Sequence, residues 1–143
     1  MRSLEHQEQV QLVNWARWQR FNGTPIIDDL FAIPNGGARH PAVAGKLKAE
    51  GVKRGIPDLM LTIPVAPYHG MFIEMKSRGG RLTDAQREHI ERLRARGYHA
   101  VCCVGFDEAL RTILDQLIAD PISGPEADAA MERAKALVPP VRC

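Results

Sequence analysis

Residues 55–77, GIPDLMLTIPVAPYHGMFIEMKS, decide how this chain is read. Two short apolar runs, 57–63 and 71–76, are joined through Pro64, Pro67 and Gly70, the pattern of two strands in a hairpin. Each run carries a carboxylate, Asp58 and Glu74, and Lys76 follows the second by two positions. Ionised groups are costly inside a sheet unless something pairs with them. Side chains alternate faces along a strand, so Glu74 and Lys76 point the same way, and a twisted hairpin brings Asp58 close to Glu74. Two converging carboxylates repel unless a cation sits between them, and hard oxygen ligands suit Mg²⁺ or Mn²⁺. With an ammonium beside it, such a site suits phosphodiester hydrolysis, because a metal neutralises phosphate charge and acidifies water while the lysine orients the nucleophile or steadies developing charge. The same residues also fit an exposed hairpin in which Glu74 and Lys76 pair across solvent.

Upstream, 4–21 has helical spacing, with Ser3 as cap and Leu12, Trp15, Ala16 and Trp18 or Phe21 on one side, and Asn22-Gly23 stops it. Residues 30–34 read as a strand entering the Asn35-Gly36-Gly37 loop, and 41–50 as a short basic helix with proline in its first turn and Gly51 at its end. Downstream, Thr83 opens a helix with Gln86 as capping-box partner, and Gly97 closes it. Residues 98–104, YHAVCCV, read as a strand covered on both faces, and 107–119 as an amphipathic helix. This order implies an α/β fold, a mixed central sheet flanked by helices on both faces.

The chain has 143 residues, 45% hydrophobic and 25% charged, which fits a soluble chain of one ordinary domain with a tail. Its start has no signal-peptide core and no run is long enough to span a membrane. The three cysteines make no disulfide framework, since Cys102 and Cys103 are adjacent in a strand and Cys143 stands alone; a reducing cytoplasm is expected. Net charge is +2, but a basic middle, with seven Lys/Arg against three Asp/Glu from Lys76 to Arg96, stands beside an acidic stretch from Asp107 to Asp128. His99, in an apolar strand, reads as a packed core histidine.

Taken with EHQEQ in the first helix, IPNGGARH, GVKRGIPD and LTDAQ, the set Pro57-Asp58 and Glu74-Met75-Lys76 resembles the PD-(D/E)xK nuclease superfamily and, within it, the VRR-NUC (virus-type replication-repair nuclease) branch. The resemblance implies a restriction-endonuclease-like αβ core over 1–120, while the proline-containing remainder, 121–143, reads from its own residues as a tail that is flexible or forms one loose helix near 126–137. It implies that Asp58 and Glu74 bind Mg²⁺ or Mn²⁺ with the Met75 carbonyl, and that Lys76 is the catalytic lysine. It also places an acid on the first helix. Glu5 and Glu8 both qualify, three apart on one face, and Glu5 is preferred because Glu5-x-x-x-Gln9 fits the family pattern. Gln86 matches a glutamine of the family. Its capping role at Thr83 is the alternative, and the two roles are expected to need different rotamers. Met75 replaces the more common aliphatic residue between glutamate and lysine, where it should fill a buried slot.

Arg39, Lys46, Lys48, Lys53 and Arg54 precede Asp58, and Arg78 and Arg81 follow Lys76, as a groove tracking a DNA backbone requires. Asn35 either contacts phosphate or takes a left-handed turn. The expected activity is a metal-dependent DNA endonuclease in replication or repair, often in a phage setting, in the cytoplasm of a bacterial or phage-infected cell. One catalytic centre per compact domain cuts one strand, so a homodimer selective for branched DNA, such as a four-way (Holliday) junction, is expected. The alternatives are a non-catalytic nucleic-acid-binding protein on the same fold and a restriction-like, sequence-specific endonuclease.

Overall fold

The computed structural model describes residues 4–35, 40–118 and 141–143. In chain order these form helix α1 (Leu4–Trp18), the two-residue strands β1 (Arg20–Phe21) and β2 (Thr24–Pro25), a 3₁₀ turn, strand β3 (Leu30–Ala32), helix α2 (Pro41–Ala49), strands β4 (Leu59–Leu61) and β5 (Met71–Lys76), helix α3 (Asp84–Ala95), strand β6 (His99–Val104) and helix α4 (Gly105–Ile118). The loose helix expected near 126–137 lies outside the described residues.

The main sheet has the order β3-β4-β5-β6. β3, β4 and β5 run antiparallel and β6 joins β5 in parallel, so the sheet is mixed as expected. Alternation along the strands builds two cores. Leu59, Leu61, Met71, Ile73, Met75 and Cys103 pack against Leu12 and Ala16 of α1 and Ala109 and Ile113 of α4. Ala100 and Cys102 pack with Leu82 and Ile90 on the α3 side. Helices therefore cover both faces.

Two expectations are corrected. Phe21 is not helical: Asn22 (φ 49°) and Gly23 (φ 83°) both take left-handed conformations, which makes them the two-residue turn of a tiny β1–β2 hairpin and ends α1 at Trp18. Trp18 is 84% exposed and so is no part of the core stripe. The cysteines are not all unpaired either, because Cys102 and Cys143 form a disulfide while Cys103 is free and buried. Adjacency conceals this, since neighbouring strand residues face opposite sides. Cys103 enters the α1/α4 core, and Cys102 faces α3, where residues 141–143 return.

Among the described residues no helix is long and apolar enough to cross a membrane.

Candidate metal centre

The β4–β5 register places Leu59 opposite Ile73. One step further along each strand, Asp58 stands opposite Glu74, and directly opposed residues share a face of the sheet. One more step sets Pro57 opposite Met75. Proline has no N–H, so it cannot donate to the Met75 carbonyl. The Met75 N–H donates to Asp58 Oδ2 at 2.8 Å. In an extended strand the N–H and C=O of one residue point to the same side, so the Met75 carbonyl opens toward Asp58. Met75 itself is buried in the α1/α4 core, filling the slot expected of it.

Glu74 is 2% exposed and its two oxygens differ. Oε1 accepts from Gln86 Nε2 at 2.7 Å and lies 3.0 Å from Lys76 Nζ. Oε2 is buried and has no hydrogen-bond partner. Burial, followed by the Asp58 charge, pushes the Glu74 carboxyl up to about 7 against the pull of Lys76. Burial also raises Asp58 above its ordinary value, opposed by the Met75 N–H and by Lys76. Both carboxylates thus sit where negative charge is under-compensated, which is the condition a bound cation relieves.

Gln86 is fixed by the start of α3. Thr83 Oγ1 accepts from the Gln86 N–H at 3.2 Å, and Gln86 Oε1 accepts from the Thr83 N–H at 2.9 Å, a complete capping box. The expectation that capping and the site need different rotamers is corrected. A glutamine amide has an acceptor and a donor end, so one rotamer caps with Oε1 and holds Glu74 with Nε2. α3 is seated by Gly55 (φ +83°), where a Cβ would stand 2.7 Å from the Ala85 carbonyl carbon. Sequence reading passed over Gly55, and its place just before Ile56-Pro57-Asp58 was the available signal.

α1 sends its two acids to different places. Glu5 Oε1 lies 3.9 Å from Lys76 Nζ, so the lysine stands between Glu5 and Glu74. Glu8 Oε2 accepts from the Phe106 N–H in the first turn of α4, favourable for an anion at a helix N-terminus. Asp58, Glu74, Lys76, Gln86 and Glu5 are therefore brought together, with the Met75 backbone, and Glu8 is not.

The basic residues do not converge in the same way. Lys46, Lys48, Lys53, Arg54, Arg78 and Arg81 are exposed; Lys46 pairs with Glu50 at 3.9 Å on α2, and Arg78 and Arg81 lie in the turn after Lys76. Asn35 is half-buried, and Arg39 lies outside the described residues. Among the described residues no group of three or more His, Cys, Asp or Glu side chains is placed to hold a metal, so the donors on offer are two carboxylates and one carbonyl. The buried, unpartnered Oε2 of Glu74 fits that set to Mg²⁺ or Mn²⁺, since hard cations take oxygen ligands and complete their shell with water.

The family model described as the VRR-NUC domain matches residues 2–107. A solved structure described as a VRR_NUC domain protein is similar at 35% identity and a TM-score of 0.73, covering 84% of this chain and 93% of that one. Among curated proteins none matches. With its mixed sheet covered by helices, a restriction-endonuclease-like core, the chain belongs to the VRR-NUC domain family, a family of nuclease type.

Proposed function

We propose that this protein is a divalent-metal-dependent DNA endonuclease. The observation that carries the reading is the asymmetry of Glu74, whose Oε1 is held by Gln86 and Lys76 while Oε2 is buried and unpartnered in a carboxyl that feels the Asp58 charge. Asp58, Glu74 and the Met75 carbonyl would hold Mg²⁺ or Mn²⁺. Bound there, the ion supplies charge neutralisation at a phosphate and a more acidic water molecule. Lys76, kept between Glu74 and Glu5, presents a positive charge that orients the nucleophile or steadies charge developing on the phosphate. Gln86 keeps Glu74 from turning. Lys46, Lys48, Lys53, Arg54, Arg78, Arg81, Asn35 and Arg39 would contact backbone phosphates and position the duplex without reading its sequence.

Selectivity for branched DNA by a homodimer belongs to the same proposal. One centre cuts one strand, and a two-fold pair of centres matches the near two-fold symmetry of a four-way junction. α1 supports a further contact, since Val10 is 44% and Trp18 84% exposed. Linear, flapped and four-way DNA, incubated with and without Mg²⁺ or Mn²⁺, test the whole reading. Cleavage only with metal, and preferentially of the four-way substrate, is expected; DNA binding without any cleavage would favour a non-catalytic binding protein. Light scattering at micromolar concentration reads the assembly, and a monomer would remove the dimer.

A further inference from the structure

The Cys102–Cys143 disulfide joins two segments that are 41 residues apart in sequence, and it does so on the face of the sheet that carries Glu74. In the parallel β5–β6 register Cys102 stands beside Glu74. Val141 and Cys143 pack into the cluster formed by Leu82, Ile90, Ala100 and Cys102. The Val141 carbonyl accepts from Arg87 Nη1 at 2.9 Å, so residues 141–143 are tied both to β6 and to α3. α3 is the helix whose first turn carries Gln86, the residue that holds Glu74 Oε1.

We propose that Cys102 and Cys143 form a reversible redox latch that clamps α3 against the sheet beside the Glu74 carboxylate. To close it, the two thiols give two electrons and two protons to a low-molecular-weight disulfide, which leaves as two thiols while the Cys102–Cys143 bond forms. To open it, the thiolate of a dithiol attacks the half-buried Cys143 sulfur and expels the Cys102 thiolate; the second thiol of the dithiol then displaces Cys143, leaving a cyclic disulfide and two protein thiols. Opening removes the covalent tie that keeps Val141 and Cys143 over Leu82 and Ile90, and α3 loosens. The third cysteine takes no part, because Cys103 is buried on the opposite face and burial pushes its thiol up to about 11, where a thiolate is scarce.

The effect on the metal centre rests on the functional reading above, whereas the latch is tested without DNA. The full chain is equilibrated with oxidised glutathione or with dithiothreitol, free thiols are counted after denaturation, and hydrogen exchange is followed in α3 and α4. One free thiol is expected in the oxidised protein and three in the reduced, given three cysteines in all. Exchange of α3 amides is expected to accelerate about tenfold or more on reduction, with α4 unchanged. Cys143→Ser, which leaves the buried Cys102 intact, should exchange like reduced wild type under both conditions. Three free thiols after oxidation, or equal α3 exchange in the two forms, would overturn the latch.

Discussion

Replacing Gln86 with Glu separates the two tasks of that side chain. Glutamate still accepts from the Thr83 N–H, because a capping box takes Glu or Gln at this position, so the start of α3 is kept. It cannot donate to Glu74 Oε1 when ionised, and it adds a further acid to the cluster of Asp58, Glu74 and Glu5. A hydrogen bond to a charged group is worth about 1.5–3 kcal/mol, and a like charge nearby adds to the loss. For the metal-free protein at about pH 8, a destabilisation on the order of 2–4 kcal/mol is expected. At about pH 5 a proton shared between the two carboxyls restores a donor, and the loss should fall below about 1 kcal/mol. Urea unfolding in chelator at both pH values measures this, with Gln86→Met as the variant that loses the bond to Glu74 without gaining a charge and so varies less with pH. Equal losses for Gln86→Glu at the two pH values would show that the Nε2 bond does not stabilise Glu74.

Three further predictions follow from the same geometry. Because the folded Glu74 carboxyl titrates near 7, above its ordinary 4.5, the folded state holds this proton more tightly than the unfolded chain, so its contribution is complete below pH 4.5 and lost as pH rises through 7. Metal-free wild type should therefore lose stability across that window, by on the order of 3 kcal/mol, relative to a flatter Glu74→Gln profile; matching profiles in chelator would count against a raised Glu74. Gly55→Ala forces a Cβ onto the Ala85 backbone and should cost about 2–4 kcal/mol, whereas Gly51→Ala, at φ +98° with nothing within 4 Å, should cost only about 1–2 kcal/mol by thermal unfolding. Lys76→Met should lower the cleavage rate on the order of 100-fold or more while keeping Mn²⁺ binding, read by calorimetric titration beside the cleavage assay.

Much of the centre was legible because it lies in one hairpin. Strand alternation sets Glu74 and Lys76 on one face, and the Pro-Asp step before β4 meets the end of β5 in register. What escaped depended on contacts between distant segments. Glu5 and Glu8 share a helix face, yet one turn of rise sends one to Lys76 and the other to the first turn of α4, a helix almost a hundred residues away in sequence. The Cys102–Cys143 pairing depends on where residues 141–143 return, which no local pattern encodes. Asn22-Gly23 was visible as punctuation, but a helix stop and a two-residue hairpin turn use the same dipeptide, and only the pairing of β1 with β2 distinguishes them. The two ends of the Gln86 amide serve Thr83 and Glu74 at once, and this requires α3 to lie beside β5, a fact of packing.

The central claim is that Asp58 and Glu74 jointly hold the ion on which cleavage depends. Its most direct test is a calorimetric titration of Mn²⁺ into metal-free wild type and Asp58→Asn, with DNA cleavage followed in the same samples. Asparagine can still accept from the Met75 N–H, so the variant should fold and bind DNA. Asp58→Asn should lose Mn²⁺ affinity and cleavage together, each on the order of 100-fold or more. Asp58→Asn protein that cuts DNA at an undiminished rate would contradict it and place the metal elsewhere.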